Sequence, residues 1–435
     1  MLSLEITNNN EFLFHGCSIN NTRDKNQLLA PFCKMISNYG IVLSLIPTEE
    51  QISLLNQQIG NARFVRNRYL ADRIKHYEEY KEILSVSQYK KANLPQLKKD
   101  NPFLKLSDKF AIEGALMHVD FAYNCFFEGI KKGQKVGFPK FASKFKPNGN
   151  SYTTYYTNGN IGLLMVDGLP YVKLPKIGKI RFVLPMDKTI NSILPNNTRI
   201  TSASIRRSGG KYTVSLQLEA VIDAVAPIGK VCVSDIISSD MGIKSFAVYG
   251  NNEFTEEVEN PRFIKVHEKR LRRLQKSLSR KKKFSNNWKK AKLRVAKEHR
   301  KIKNQRRDFH HKLSRNIVNN CNVFVCEDLN IKGMVRNRHL AKEISSVGWG
   351  QFLGFIKYKL ERKGGIFLKV DRFYASSQLC SGCGYKNSDV KDLKVRKWTC
   401  PECGTVHDRD ENAKTNLLNK AIEILKTNYD IQVVA

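Results

Sequence analysis

Two identical cysteine pairs near the C-terminus constrain the fold of this 435-residue chain more than any other feature. Two residues separate the cysteines of each pair, and sixteen residues separate the pairs, a spacing typical of a zinc ribbon: Cys380, Cys383, Cys400 and Cys403. Gly384 and Gly404 follow the pairs and allow the backbone to turn around an ion. Four thiolates leave no position for a reacting water, so we predict a structural zinc worth on the order of 10 kcal/mol to this small segment.

The alternatives for these cysteines are reduced core thiols or a redox pair. A redox pair is disfavoured because there are two pairs and neither opens a helix after a strand. The other six cysteines show no pairing pattern, and three of them lie in or beside apolar stretches: Cys232, Cys321 and Cys326. This usage is typical of a reducing compartment, so we expect a cytoplasmic protein.

The chain has a large excess of positive charge, with 74 Lys and Arg against 40 Asp and Glu and a net charge of +34 at pH 7. Self-repulsion of this size destabilises a compact fold unless a polyanion neutralises it. We therefore predict nucleic acid as the partner, with an anionic membrane surface as the alternative. No apolar run approaches the roughly 20 residues needed to span a bilayer, and we find no secretion signal.

Helical and strand periodicities divide the N-terminal half. Residues 1–39 show weak periodicity, and we assign them no function. A strand over 40–46 leads into helical periodicity that runs to about residue 130 and begins with Thr48 as the N-cap of a capping box. After a break rich in Gly, Pro and Lys, short alternating runs over 151–222 predict a small antiparallel β-barrel or a sandwich.

Residues 262–315 form a strongly basic helical region, with 23 Lys and Arg against three acids. A break at 284–287 predicts two antiparallel helices with a thin apolar seam and a cationic exterior. A run of charge is more often a solvated face. Because the charges here are almost all positive, pairing of Glu with Lys along the helix does not explain them.

Three acids stand at the ends of apolar strands or at the start of the last helix: Asp240, Glu327 and Asp410. Hydrolysis of a phosphodiester by two Mg²⁺ ions requires several carboxylates that converge on the metals. Taken singly, each acid could be a turn residue, and Asp408 or Asp410 could be a helix N-cap. Taken together, they form the pattern of a ribonuclease-H-like nuclease core.

Motifs in this order resemble the TnpB (OrfB) proteins of bacterial and archaeal insertion sequences, relatives of the type V CRISPR nucleases. The resemblance covers roughly residues 40–425, and its motifs are "RFVRNRYL", "GFPKFASK", "DMGIKSFA", "RLRRLQKSLSRKKK", "CEDLNIKGM", "VGWGQF", "DRFYASSQLCSGCG" and "CPECGTVHDRDENA". Lys414 departs from the pattern, because the family usually has a second small residue there.

The resemblance implies a transposon-encoded, RNA-guided DNA endonuclease with a role in transposition and DNA recombination. Its RuvC-type domain would bind two Mg²⁺ ions through the matched acids Asp240, Glu327 and Asp410, and a structural zinc ribbon would be inserted just before the last acid. The implied partners are a guide RNA from the transposon end and double-stranded target DNA. One chain would bind one RNA in the bacterial or archaeal cytosol, associated with the nucleoid and without a membrane.

The expected fold is multidomain α+β, with a helical bundle and barrel followed by a RuvC-like α/β domain that carries the basic helical pair and the zinc ribbon. The expected parts are an N-terminal extension (1–39), a wedge-like barrel (40–46 and 138–225), a helical recognition domain (47–137), the nuclease domain (226–379 and 404–425), the ribbon (380–403) and a C-terminal tail (426–435).

Twelve basic residues are candidate nucleic-acid contacts, with ordinary surface charge as the alternative: Arg63, Arg66, Arg68, Lys140, Lys144, Arg272, Arg273, Arg280, Lys281, Lys282, Arg306 and Arg307. The competing functions are a catalytically silent, guide-dependent DNA-binding repressor, a transposase that joins DNA ends, and a zinc-ribbon transcription module. A His-hydrophobe-His motif for single-strand transposition is missing, and the transcription module leaves the three acids unexplained.

Overall fold

The computed structural model describes residues 34–146, 149–184, 189–223, 228–337, 340–392 and 394–434. The chain divides into two compact units, Met1–Ala224 and Val225–Ala435. Most of the predicted N-terminal extension lies outside the described residues. None of the described helices is both long and apolar enough to cross a membrane.

The N-terminal unit combines helices with a seven-stranded antiparallel sheet in the order β2-β6-β7-β1-β5-β4-β3. Its helices are α1 (Glu49–Tyr80), α2 (Val86–Asp100), α3 (Lys109–Lys131) and α4 (Ile190–Ile193). Its strands are β1 (Lys34–Ile46), β2 (Ser151–Tyr155), β3 (Gly162–Val166), β4 (Leu169–Leu174), β5 (Gly178–Val183), β6 (Thr198–Ser208) and β7 (Lys211–Asp223).

Local sequence signals account for several of these elements. The Thr48 hydroxyl accepts a hydrogen bond from the Gln51 N–H at 3.3 Å, and the Gln51 side chain accepts one from the Thr48 N–H at 3.1 Å. The predicted capping box therefore starts α1. Gly209 and Gly210 both have positive φ in the turn between β6 and β7, as a tight hairpin turn requires.

Two predictions for this unit need correction. The sheet is open, because the described end strands β2 and β3 pair only with β6 and β4 and not with each other. A barrel requires the end strands to pair; here both are only five residues long, and α3 packs against β2. In addition, β1 begins at Lys34, so residues 34–39 belong to this strand and not to an extension.

The C-terminal unit contains a five-stranded mixed sheet in the order β11-β10-β9-β12-β13 and two small two-stranded sheets. Its strands are β8 (Lys230–Cys232), β9 (Ile236–Asp240), β10 (Ser245–Gly250), β11 (Thr255–Glu259), β12 (Val323–Glu327), β13 (Ile366–Val370), β14 (Lys397–Thr399), β15 (Val406–Asp408) and β16 (Gln432–Val434). Its helices are α5 (Phe263–Ser279), α6 (Asn286–Asn319), α7 (Ile331–Met334), α8 (Ala341–Val347), α9 (Trp349–Lys363) and α10 (Arg409–Asn428).

The five-stranded sheet is antiparallel from β9 to β11 and parallel from β9 through β12 to β13. Two apolar clusters include residues of this sheet. One joins it to α6 and α9 through Ile317, Trp349 and Phe352, and the other joins it to α10 through Leu417 and Ala421. Because β12 contributes residues to both clusters, its residues 323–326 are all apolar, as expected for a strand buried on two faces.

Helices α5 and α6 form the predicted basic pair, with Ser285 as the N-cap of α6. A buried polar contact joins the pair: His267 Nδ1 lies 2.7 Å from Glu298 Oε1, and His267 Nε2 lies 2.8 Å from Gln305 Oε1.

The last helix and the last strand include the residues predicted as a C-terminal tail. Helix α10 continues to Asn428, and β16 pairs with β8. The segment predicted as a C-terminal tail is therefore structured as far as Val434.

Candidate metal centres

Two of the predicted acids end neighbouring strands of the five-stranded sheet. In the parallel pairing of β9 with β12, Ser239 lies opposite Cys326. The next residues are Asp240 and Glu327, which end their strands at the same edge. Paired strands run about 4.8 Å apart, so this register brings the two carboxylates together.

The third acid reaches this edge on α10, which packs against β9. The buried Ser238 hydroxyl donates a hydrogen bond to the Lys414 carbonyl at 2.8 Å and fixes the helix to the strand. Asp410 lies one turn before Lys414. Asp408 is the N-cap of α10 and accepts from the Asp410 N–H at 3.0 Å, so the Asp410 carboxylate is not used as a cap.

The three carboxylates share one electrostatic environment. Burial, followed by the negative charges of Glu327 and Asp410, raises the pKa of Asp240 from 3.8 to about 7. Among the described residues, one group of three or more His, Cys, Asp or Glu has all its ligand atoms within 4.8 Å of one another, and it consists of the four predicted zinc cysteines. The three acids are therefore electrostatic neighbours, but their carboxylate oxygens do not all lie within 4.8 Å of one another. A set of carboxylate oxygens in this state suits a hard divalent cation such as Mg²⁺.

Two further side chains contact the acids. The Ser376 hydroxyl donates a hydrogen bond to Glu327, and Arg396 Nη1 lies 3.2 Å from Asp410 Oδ2. The sequence analysis missed both residues. Ser376 lies in a loop without periodicity, and Arg396 lies between the cysteine pairs, where spacing draws attention only to the cysteines.

The four predicted zinc ligands converge. Cys380 Sγ lies 3.6 Å from Cys403 Sγ, and Cys383 Sγ lies 3.5 Å from Cys400 Sγ. Sulfurs bound to one tetrahedral zinc at about 2.3 Å would be about 3.8 Å apart. The donor set and its size therefore fit a zinc ion held by four thiolates.

The two halves of this centre share the same backbone turn. The Gly384 N–H bonds to the Cys380 carbonyl, and the Gly404 N–H bonds to the Cys400 carbonyl, both at 2.9 Å. Both glycines have positive φ, of 80° and 71°. The sequence predicted that glycine after each pair allows the backbone to turn around an ion. The positive φ angles confirm this, because other residues adopt this conformation at a cost in free energy.

Neighbouring groups support the thiolates. Hydrogen bonds from the Thr405 hydroxyl, 3.2 Å from Cys403 Sγ, from the Thr405 backbone and from the neighbouring thiols lower the pKa of the Cys403 thiol to about 6. His407 Nε2 lies 3.0 Å from Cys380 Sγ, and its ring packs on Trp398. The sequence analysis missed His407; its place in "CGTVHD", next to the second pair, was the available signal.

Buried amides attach the cysteine-rich segment to the helix that carries Asp410. Asn412 donates to the Leu379 carbonyl at 2.6 Å and accepts from the Ser381 N–H at 3.0 Å. Asn416 donates to the carbonyls of Ser376 and Leu379 at 2.8 and 2.7 Å. These hydrogen bonds therefore connect the start of α10 with the segment that leads into the first cysteine pair. They also connect it with the loop of Ser376, the residue that contacts Glu327.

The candidate nucleic-acid contacts of the N-terminal unit differ in their surroundings. Arg63 and Arg66 line a cleft, whereas Arg68 is exposed and pairs with Asp72 at 3.1 Å. Lys140 and Lys144 are exposed on the loop after α3.

The candidates of the basic helical pair are exposed, with one exception: Arg272, Arg273, Arg280, Lys281, Lys282 and Arg307 are on the surface of their unit. Arg306 instead donates to the carbonyls of Ser345 and Ser346 at 3.0 and 3.1 Å, and burial lowers its pKa. These bonds hold the end of α8 against α6, and a phosphate contact by Arg306 stays a prediction.

The fold and the site together define a multidomain α/β protein with a four-cysteine centre beside a group of converging acids. Three family profiles match parts of the chain. OrfB_IS605, described as "Probable transposase", matches residues 232–338, and "Cas12f1-like, TNB domain" matches 349–417. A "Helix-turn-helix domain" profile matches 38–82, although here those residues form most of β1 and the single helix α1.

Two relatives match along most of their length. A protein of Streptomyces pristinaespiralis named "Putative RNA-guided DNA endonuclease" is 30% identical over 380 residues, which cover 86% of each chain. InsQ of Escherichia coli (strain K12), with the same description, is 27% identical over 89% of this chain and 93% of its own. The chain belongs to the TnpB (OrfB) family.

A solved structure has a similar fold. It is titled "Cryo-EM structure of the Cas12f1-sgRNA-target DNA complex" and matches with a TM-score of 0.56 at 15% identity, over 86% of this chain and 84% of that one. At this identity the match establishes a shared multidomain α/β fold.

Proposed function

We propose that this protein is a transposon-encoded, RNA-guided DNA endonuclease that hydrolyses phosphodiester bonds with divalent cations held by Asp240, Glu327 and Asp410. The observation that carries the proposal is the convergence of these acids at one sheet edge, where burial and mutual repulsion raise the pKa of Asp240 to about 7. A cluster of this kind favours binding of a divalent cation.

The topology of the C-terminal unit supports this proposal. The strand order β11-β10-β9-β12-β13, with Asp240 at the end of the central strand and Glu327 on its parallel neighbour, fits the ribonuclease-H-like core expected from the sequence. The cysteine centre, with its four thiolates, would hold a structural zinc and take no part in the chemistry.

Each side chain of the acid site has a role under this proposal. Mg²⁺ ions bound by the three carboxylates would activate a water and stabilise the leaving oxygen. Ser376 orients Glu327 by its hydrogen bond. Asp408 caps α10, so the Asp410 carboxylate is not used as a cap, and a cation would compete with Arg396 for it. Asn412 and Asn416 keep α10 and the cysteine-rich segment in a fixed arrangement.

The proposed partners are a guide RNA from the transposon end and double-stranded target DNA, in a particle of one chain and one RNA. The net charge of +34 and the exposed cations of α5 and α6 suit binding to phosphate backbones, while base pairing would select the target. The names of the relatives point the same way, and the particle would act in the cytosol.

The test is DNA cleavage by the RNA-loaded protein, with and without Mg²⁺, for Asp240→Asn, Glu327→Gln and Asp410→Asn. Asp328→Asn is the matched control, because this carboxylate follows Glu327 but pairs with Lys369 and Arg372 at 2.8 and 2.9 Å. We expect each of the three changes to lower the cleavage rate by about 1,000-fold or more, since bound metals contribute several kcal/mol and each 1.4 kcal/mol is tenfold.

Two results would contradict the proposal. Equal cleavage by the parent and the three acid variants would show that these acids do not form the catalytic site. If the parent binds target DNA but does not cleave it, the guide-dependent repressor is favoured. Sequencing of the RNA that copurifies with the protein tests guidance separately. We expect one discrete transcript from the end of its own element, and random cellular RNA would argue against guidance.

A further inference from the structure

The four sulfurs of the cysteine centre differ in their access to solvent. Cys383 and Cys403 are exposed, one from each pair, whereas Cys380 and Cys400 are 2% and 1% exposed. Each exposed sulfur lies beside a buried sulfur of the other pair, with Cys403 Sγ 3.6 Å from Cys380 Sγ and Cys383 Sγ 3.5 Å from Cys400 Sγ. A dissolved oxidant can therefore reach one sulfur of each contact, and a buried thiol partner is already in place beside it.

This arrangement suits a two-step oxidation by a hydroperoxide such as hydrogen peroxide. The exposed Cys403 thiolate attacks one peroxide oxygen, the O–O bond breaks, and Cys403 becomes a sulfenic acid as hydroxide leaves. The Cys380 thiolate then attacks the Cys403 sulfur, forms the S–S bond and displaces a second hydroxide. The two thiolates lose two electrons to the peroxide, and two protons from solvent convert both hydroxides to water. Cys383 and Cys400 can react in the same way.

Either disulfide removes two of the four zinc ligands and so releases the ion. The cysteine-rich segment has little else to stabilise it. Its apolar cluster consists of Cys380, Val390, Trp398 and Cys400, with Val395 packed against it. Two of these four buried residues are themselves ligands, and a segment this small depends on its metal for a fixed structure. Oxidation therefore loosens the segment.

Hydrogen bonds carry this change to the acid site. The Asn412 amide bridges the residues on either side of Cys380, because it donates to the Leu379 carbonyl at 2.6 Å and accepts from the Ser381 N–H at 3.0 Å. Asn412 lies two residues after Asp410 in the first turn of α10. A displacement of Cys380 therefore acts directly on the helical turn that carries Asp410.

A second connection leads to Glu327. The Asn416 amide is 4% exposed and donates to the Ser376 carbonyl at 2.8 Å and to the Leu379 carbonyl at 2.7 Å. The Ser376 hydroxyl in turn donates to Glu327. Leu379 immediately precedes the first cysteine of the centre. Loosening of the cysteine-rich segment therefore also weakens the hydrogen bond that orients Glu327.

We infer that the cysteine centre is a site of reversible oxidation that regulates the acid site. Disulfide formation releases the zinc and weakens the binding of divalent cations by Asp240, Glu327 and Asp410. The inference rests on the proposed function for the acids as cation ligands, whereas the oxidation of the thiolates does not depend on it. A thiol reductant with zinc restores the centre, because thiol–disulfide exchange regenerates both thiolates.

The experiment exposes full-length, zinc-loaded protein, freed of copurified RNA, to increasing hydrogen peroxide. A colorimetric chelator measures the released zinc, and peptide mass spectrometry without reduction locates the disulfides. Electron paramagnetic resonance measures the Mn²⁺ affinity after gel filtration has removed the released zinc. All samples carry Arg396→Gln, because release of Arg396 from Asp410 would change the Mn²⁺ affinity in the opposite direction. Cys125, an exposed cysteine outside the centre, is the internal reference for thiol oxidation.

We expect one disulfide for each zinc ion released, between Cys380 and Cys403 or between Cys383 and Cys400. Mn²⁺ binding should weaken about tenfold, the size of one lost hydrogen bond to a charged group. Dithiothreitol with zinc should restore the original affinity. If Cys125 is oxidised while the zinc is retained, oxidation of the centre is overturned. Zinc release with an unchanged Mn²⁺ affinity would overturn the regulation of the acid site.

Asn412→Ala tests the route between the two centres. We expect this variant to bind Mn²⁺ weakly already in its reduced, zinc-loaded form, and oxidation should lower its affinity less than about twofold further. Asn419→Ala, on the exposed face of the same helix, is the matched control and should respond to peroxide like the parent. A full tenfold response in the Asn412 variant would overturn this route. If that variant does not fold, the measurements on the parent still decide the inference.

Failure of the proposed function gives a different result. If the reduced, zinc-loaded parent binds no Mn²⁺, the proposed function is contradicted and the regulation with it. The outcomes described above, in which reduced protein binds Mn²⁺ normally, overturn the inference alone.

Discussion

Arg396, which lies between the two cysteine pairs, forms an ion pair with Asp410 at 3.2 Å. The cysteine-rich segment thus places a positive charge on one of the three acids proposed to bind metal. In the absence of a divalent cation this contact offsets part of the repulsion among the carboxylates.

The first prediction follows from that contact. A cation must compete with Arg396 for Asp410, so Arg396→Gln should tighten binding of Mn²⁺, a probe for the magnesium site. Both side chains are partly exposed, and such pairs contribute about 0.2–1 kcal/mol, which corresponds to a gain of about 1.4- to fivefold. Arg372→Gln is the matched control, because Arg372 is equally exposed and pairs with Asp328 at 2.9 Å. Identical Mn²⁺ affinities in both variants would show that Arg396 does not compete.

The second prediction concerns pH. The pKa of Asp240 is raised from 3.8 to about 7, so over this window the folded state holds a proton that the unfolded chain releases. The free energy of unfolding should therefore fall as pH rises from about 4 to about 7, in protein without added magnesium. Asp240→Asn cannot ionise, so this variant should lose that part of the pH dependence and exceed the parent in stability at pH 8.

Urea unfolding at pH 5 and pH 8, with zinc retained, measures this effect. Adding Mg²⁺ at pH 8 should stabilise the parent and leave Asp240→Asn much less affected, because the ion binds the ionised cluster. If the free energy of unfolding depends on pH in the same way in the parent and in the variant, the raised pKa of Asp240 is contradicted.

The third prediction concerns the cysteine centre. Cys383→Ser should reduce the zinc content from about one ion per chain towards zero, because one of four thiolates is lost. Cys125→Ser, a change of an exposed cysteine outside the centre, should retain the ion. Elemental analysis of the purified proteins gives the answer. Full zinc content in the Cys383 variant would exclude the four-thiolate site.

The fourth prediction concerns Lys414, where the family usually has a small residue. Its ammonium group is buried and donates to the Asn251 carbonyl at 2.9 Å and to the Thr255 hydroxyl at 2.6 Å. Lys414→Met keeps most of the volume but leaves both acceptors unpaired, so we expect a loss of about 1–3 kcal/mol in the free energy of unfolding. Lys426→Met on the exposed face of the same helix should change it by less than about 0.5 kcal/mol. Equal stability of the two variants would refute the structural role of Lys414.

Features that depend on neighbouring residues were predictable from the sequence. The capping box at Thr48, the glycine pair between β6 and β7, and the break before Ser285 are decided within a few residues. The cysteine pairs are similar, since each pair and its glycine form one local turn. The apolar runs that end in Asp240 and Glu327 also identified their strands, because strands buried on both faces have few polar residues.

Other features required the tertiary structure, because they depend on which surfaces meet. The sheet of the N-terminal unit stays open since β2 packs against α3, and no pattern in either segment encodes that contact. Helical spacing puts Arg63 and Arg66 on one face, but only packing decides that this face borders a cleft. Arg306 belongs to the same basic run as its exposed neighbours, and it is only partly exposed because α8 ends beside it.

The sequence by itself determined the four-cysteine site, the candidate acids and the membership of the family, because those signals are local or depend on residue order. Tertiary structure alone decided that Asp240 and Glu327 end neighbouring strands at one sheet edge, that Asp410 on α10 is their electrostatic neighbour, and that Arg396 faces Asp410. The physical reason is that these contacts join residues far apart in the chain. Their geometry is fixed by strand register and helix packing, which no single segment specifies.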